Sequence, residues 1–291
     1  MDLRPQQHKQ DNRGISQIEV GLAAAIAYHN IFDYPLRHDE LTKWYCGSQT
    51  PKLIAPDTLV ASKDNFYFIA GRENLVLKRL FREKTSERKI KIAEAAARVL
   101  SKIPTVKMVA VTGSLAMRNA RDDSDIDLMI ITQKGTLWLT RAVAYLILKL
   151  AKFSLRTPGK KDEKDKLCTN IWLDETDLFW TKQNIFTAHE IAQVVSLVNK
   201  DNTHEKFLEE NSWIVNYWPG TAQARQDIKK KKHTISRYLN IIISFANYLA
   251  FGLQYLYMKP KITREVVTPT RALFHPVDWS EEILSRFGLA S

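Results

Sequence analysis

Asp125-Ile126-Asp127 sets two carboxylates two residues apart, directly ahead of the apolar run Leu128–Thr132. In an extended strand such residues share a face, with Cα atoms roughly 6.5–7 Å apart. Both acids therefore converge on one locus while Ile126 turns into the core. Converging carboxylates repel and raise one another's pKa unless a cation lies between them. An all-oxygen donor set suits Mg²⁺ or Mn²⁺, which keep several waters and accept polyphosphate oxygens. Two such ions roughly 3.5–4 Å apart could activate an attacking oxygen and steady a leaving one.

Eleven positions upstream of Asp125, Gly113-Ser114 closes another apolar run, Val106–Thr112. A glycine after a strand lets the backbone approach a ligand and turn its amides toward phosphate oxygens. The Ser114 hydroxyl adds a donor, a helical turn at Leu115–Met117 adds a positive dipole end, and Arg118 or Arg121 could pair with phosphate. Together these parts describe a clamp for a metal-bound triphosphate.

Thr112-Gly113-Ser114 followed by Asp125-Ile126-Asp127 resembles the hG[GS]…DhD signature of the DNA polymerase beta-like nucleotidyltransferase superfamily. The match is close over about 25 residues. The resemblance implies a small mixed sheet with flanking helices. It also implies Mg²⁺-dependent (or Mn²⁺-dependent) transfer of a nucleoside monophosphate from an NTP, ATP first, with release of pyrophosphate. A third carboxylate on a following strand is implied as well, to complete the metal site and deprotonate the acceptor hydroxyl. Asp174, at the end of the run Leu167–Leu173, is the first candidate for that catalytic and metal-binding role, and Glu175 the second.

The elements that must position these groups follow from periodicity and punctuation. Apolar residues at helical spacing predict helices over Ile15–Phe32, His38–Tyr45, Arg72–Leu100 and Leu137–Leu155. Phe66–Ile69 reads as a strand after Asp64-Asn65, and Gly47–Asp57 as turn-rich. Helix, helix, turns and hairpin resemble a small winged-helix module. Arg79, Arg82, Lys84, Arg88, Lys89 and Lys91 would make one side of the long helix basic, opposite a stripe of Leu77, Leu80, Ile92, Ala96 and Leu100. From Asn184 onward the pattern is helical: Ala188–Asn199, His204–Trp218, Gln223–Lys232 and Ile235–Met258. The last contains Arg237, Asn240, Ser244, Asn247 and Gln254, too polar for a spanning helix, and reads as a buried helix with one polar edge. Membrane association is not expected. The fold class is thus α+β: a winged-helix-like N-terminal module over residues 1–75, a nucleotidyltransferase core over 76–180 and a helical C-terminal domain over 181–291.

The 291 residues carry 43 Lys and Arg against 32 Asp and Glu, a net +11. This fits a nucleic acid, a nucleotide or an anionic membrane surface without choosing among them. The acceptor hydroxyl belongs to RNA, protein or a small molecule, and the basic helices slightly favour a polyanionic one such as RNA, since a small-molecule acceptor would call for an acidic pocket. Globular composition excludes a disordered or collagen-like chain. Cys46 and Cys168 form no CxxC pair, so a structural zinc or a disulfide framework is not expected, and both read as buried, reduced thiols of a cytoplasmic protein. Met1–Arg13 is polar and lacks a signal-peptide pattern. No GxxxxGK[ST] or GxGxxG occurs. His189-Glu190 begins a metalloprotease motif that Gln193 breaks, and His275 reads as structural. Trp213, Trp218, Tyr217 and Phe207 read as core. The competing reading from another class is a non-catalytic module that senses nucleotide and binds nucleic acid or protein.

Overall fold

A computed structural model describes residues 17–47, 59–157, 162–222, 237–274 and 279–287. The polar N-terminal stretch, most of the turn-rich segment, the helix expected over Gln223–Lys232 and His275 lie outside the described residues.

The N-terminal segment runs α1 (Gln17–Asn30), β1 (Leu36–Arg37), α2 (His38–Lys43), β2 (Val60–Lys63) and β3 (Phe66–Ile69). Its three strands form an antiparallel sheet in the order β1-β3-β2. Asp64 and Asn65 both take positive φ, 52° and 63°, the backbone a two-residue hairpin turn requires. Then come α3 (Asn74–Leu100), β4 (Val106–Val111), the single turn α4 (Gly113–Ala116), β5 (Ile126–Thr132), α5 (Leu137–Leu150) and β6 (Leu167–Asp174). The remainder comprises α6 (Ile185–Ala192), β7 (Val195–Asn199), α7 (Thr203–Glu210), α8 (Arg237–Met258), β8 (Val266–Val267), β9 (Arg271–Leu273) and α9 (Trp279–Arg286).

One six-stranded mixed sheet, ordered β7-β4-β5-β6-β9-β8, organises the molecule. β4 pairs antiparallel with β5 and β7, whereas β5 and β6 run parallel. Alternation along β5 divides two cores. Ile126, Leu128 and Ile130 join Ala93, Ala97, Leu100 and Trp138 on the α3/α5 face. Met129 and Ile131 join Tyr28, Trp44, Ala188 and Trp218 on the other. That second cluster draws on α1, the sheet, α6 and α9, so one core runs through all three expected segments.

Three expectations are corrected here. The helix expected over Ala188–Asn199 ends at Ala192, and Val195–Asn199 is a strand. β-Branched residues and an open edge on β4 outweigh a helical pattern too short to decide. His204–Trp218 likewise divides into α7 and a 3₁₀ turn at Ser212–Asn216. With β8 and β9, the C-terminal segment is therefore not purely helical but supplies strands at both edges of the sheet.

On two helices part of the expected polarity is reversed, although on α3 Ala96 and Leu100 are buried and Lys84, Arg88 and Lys91 exposed as expected. On α3, Leu77 is 75% exposed and Leu80 faces solvent, while Arg79 and Lys89 are buried. Arg79 bonds Glu40, Glu83 and the Pro35 carbonyl and stacks 3.6 Å over Tyr34. On α8, Asn247 Oδ1 accepts the Trp138 and Leu139 amides, and Gln254 Nε2 donates to the Trp138 carbonyl. Asn247 and Gln254 of the polar edge thus face the protein beside Ala250, Phe251 and Met258, while Ser244 and an apolar stripe face out. No described helix is long and apolar enough to cross a membrane.

Candidate active site

Gly113 turns the chain out of β4 with φ +58°, a conformation L side chains rarely adopt, and an added Cβ would lie 3.3 Å from Asp127 Oδ2. Glycine is required twice over: for the bend and for the approach. The Thr112 amide bonds the Asp127 carbonyl at 3.2 Å, which fixes the bend against the first turn of β5. Ser114 is exposed beside it.

The loop between them is stapled to α3. Ser86 Oγ accepts the Ala120 amide at 3.1 Å, and Arg82 donates to Asn119 Oδ1 at 3.1 Å. Lys89 Nζ reaches the Asp122 and Ser124 carbonyls at 3.2 and 2.7 Å and Asp165 Oδ1 at 2.8 Å. Arg88 holds Asp122 and Asp165 from outside. Arg82, Arg88 and Lys89 thus act as fasteners that deliver the chain into β5.

Asp125 and Asp127 project to one side and, with Cys168, place a ligand atom each within 4.8 Å of one another. Burial pushes the Asp127 carboxyl up to about 7, and the Asp125 charge pushes the same way. Burial also raises Asp125, against the pull of Arg156. Arg156 Nη1 stands 3.1 Å from Asp125 Oδ2 and 3.6 Å from Cys168 Sγ, while its Nη2 donates to Glu163 at 2.6 Å. Asn170, on β6, donates from Nδ2 to Asp127 Oδ1 at 2.6 Å, which leaves its own buried Oδ1 without a donor.

Asp174 is not brought to this cluster. β5 and β6 run parallel with Asp127 opposite Cys168 and Thr132 opposite Asp174, so Asp174 lies six residues along the sheet, about 20 Å away. There it accepts the Gly135 amide at 2.6 Å and the Thr176 amide and hydroxyl at 2.9 and 2.6 Å, fastening turns. Glu175, bonded to the Lys134 amide, belongs to the same end. The strand position opposite Asp127 holds a thiol and an amide instead of an acid. Arg121 is engaged by Asp123 at the surface, and Arg118 is exposed with φ +52°.

Arg156, Cys168 and Asn170 thus enter the site without having been expected, and Cys168 is half-buried beside two acids rather than an inert core thiol. Glu190 on α6 is a further carboxyl on the covering helix. Burial raises it to about 7, and its charge contributes to the rise at Asp127. The one available signal was parity: once β6 is laid parallel to β5, the alternate residues Cys168 and Asn170 must face the pair.

The geometry meets its counterpart among known proteins at this point. Residues 91–178 match the family described as Nucleotidyltransferase domain, so this segment is a nucleotidyltransferase domain of the DNA polymerase beta-like kind. The matched stretch runs from the middle of α3 to just past β6, and contains the Gly113 bend, both aspartates, Arg156, Cys168 and Asn170. No curated protein matches the chain.

Proposed function

We propose that the protein transfers a nucleoside monophosphate from an NTP, ATP first, to an acceptor hydroxyl, with pyrophosphate leaving. The observation that carries this reading is the convergence of Asp125 and Asp127 against the Gly113 bend. The donor set fits a hard divalent cation: two carboxylates and the unpartnered Asn170 Oδ1 are oxygen ligands of the type Mg²⁺ or Mn²⁺ takes. Cys168 is the softer neighbour, its thiol held protonated by burial. When bound, the cation would neutralise triphosphate charge and make the acceptor hydroxyl more acidic.

The chain's own groups have separable roles in this reading. The Gly113 and Ser114 amides and the Ser114 hydroxyl hold triphosphate oxygens. Arg156, paired with Asp125 at 3.1 Å, would offer a planar fork to phosphate. Asp125 and Asp127 would hold the cation, and Asn170 orients Asp127 through its amide hydrogen. The net charge of +11 supports a polyanionic acceptor such as RNA.

A second reading, a nucleotide sensor without turnover, is favoured by one observation: Cys168 and Asn170 stand where a third carboxylate would deprotonate the acceptor. Calorimetric titration with each NTP, with and without Mg²⁺, tests the shared premise. Mg²⁺-enhanced binding that Asp125→Asn/Asp127→Asn removes supports the clamp. Equal binding by the variant would refute it.

A further inference from the structure

The outer side of α8 presents Ile242, Phe245, Leu249, Leu253 and Leu256 to solvent, each between 49% and 72% exposed. Their spacing of three, four, four and three residues keeps them on one helical stripe. The opposite stripe, with Asn247 and Gln254, is bonded to α5, so the helix cannot rotate its apolar side inward without breaking those bonds. α5, packed against α8, adds Leu146 and Leu150, 57% and 72% exposed. An apolar surface of this extent marks an interaction face.

Charge identifies what covers it. Between Asp227 and Glu265 the sequence has eight Lys or Arg residues and no Asp or Glu, and between Asp127 and Asp162 it again has no acid. Lys149, Lys152 and Lys259 are exposed at the ends of these two helices. Tyr248 and Tyr257, about 70% exposed, flank the apolar stripe, and such amphipathic rings suit a headgroup boundary. A second copy of the chain would bring two cationic rims together with no carboxylate on either face to pair them. An anionic bilayer supplies the missing charge to the rim and an apolar medium to the stripe.

We infer that the α5/α8 face is a docking surface for an anionic phospholipid membrane, on which the protein lies without spanning it. The face is formed by residues outside the carboxylate cluster, so membrane docking and nucleotidyl transfer are independent properties, and the former sets where the latter takes place.

Sedimentation of the full chain with vesicles tests this. Vesicles of phosphatidylcholine with about 30% phosphatidylglycerol should carry the protein down, pure phosphatidylcholine should carry at least about tenfold less, and raised salt should weaken the binding. Phe245→Glu/Leu253→Glu alters two solvent-facing side chains, so its thermal midpoint should match the wild type while its vesicle binding falls at least about tenfold. The inference is overturned if wild-type protein stays in the supernatant with the anionic vesicles. It is equally overturned if the folded variant binds as well as wild type, or if a concentration-dependent dimer forms that excludes vesicles.

Discussion

Asn170 carries the sharpest consequence at the scale of single residues. It gives Asp127 a hydrogen bond and keeps an unused oxygen, which in the proposed reading would offer a third oxygen ligand while adding no third negative charge to a pair already raised by burial, with the Asp125 charge adding to the rise at Asp127. Asn170→Asp should therefore lower stability in metal-free buffer by about 1–3 kcal/mol, through lost hydrogen bonding and added repulsion. Mn²⁺ should restore more stability to this variant than to wild type. Thermal melts with chelator and with Mn²⁺ check both halves, and a variant as stable as wild type without metal would argue against the assignment. Much of this cluster was legible in sequence, because i and i+2 in a strand must share a face. Cys168 and Asn170 were not, since they join the site through the pairing of β6 beside β5, a non-local event without a fixed spacing, and Arg156 is placed in turn by its amide bond to the Leu167 carbonyl. Asp174 misled for the same reason: a carboxylate at a strand end is uninformative until the strand's direction is known.

Among the elements, α3 decides how rigidly the site is held. Its buried Lys89 ties Asp122, Ser124 and Asp165 together just before Asp125. Lys89→Met keeps the length of the stem but strands two carbonyls and removes one partner of Asp165, a loss of about 2–4 kcal/mol. Hydrogen exchange should show faster opening of residues 119–126 and little change in β7. Uniform acceleration would mean that Lys89 supports the whole fold and not this loop. The helix itself was plain from its length and composition, yet its polarity was not. Leu77 and Leu80 looked like core and Arg79 and Lys89 like surface, because side-chain pattern counts apolar residues and cannot see Glu40 and Asp165, distant in sequence, waiting to pair. The same reversal on α8 follows from Asn247 capping the otherwise bare amides at the start of α5. The strands β7, β8 and β9 escaped notice because runs of two to five residues give too little periodicity, and the open sheet edges that recruit them are tertiary features.

Across the whole molecule, the N-terminal segment and α6 meet at a buried histidine pair. His29 Nδ1 donates to the Ala25 carbonyl at 2.8 Å, so its Nε2 is the acceptor for His189 Nε2–H at 3.1 Å. Burial lowers His29 to about 4 and His189 further from its usual value, with the His29 charge also opposing protonation there. Both are neutral in the fold and protonate in the unfolded chain near 6.5, so their linkage leaves stability unchanged above that pH. Below it, the pair's contribution falls as the unfolded state binds protons the native state refuses, by roughly 1.4 kcal/mol per pH unit for each histidine, the His29 share ending near pH 4. The Asp127 and Glu190 carboxyls, raised by burial, offset this slope equally in wild type and variant, so urea unfolding between pH 7.5 and 5 should show His29→Gln losing less stability than wild type as the pH falls. Identical pH dependence in the two proteins would contradict the neutral pair. Because Tyr28, Trp44 and Trp218 pack around these rings, acid should loosen the N-terminal segment from the carboxylate-bearing face of the sheet.

The central claim is that Asp125 and Asp127 drive metal-dependent nucleotidyl transfer. Incubation of the full chain with each α-labelled NTP, Mg²⁺ or Mn²⁺ and total RNA, followed by measurement of pyrophosphate, tests it most directly. The wild type should release pyrophosphate only with metal, and Asp125→Asn/Asp127→Asn should release at least about a thousandfold less while remaining folded. Release that persists undiminished in that variant, or bound nucleotide with no release from the wild type, would contradict the claim.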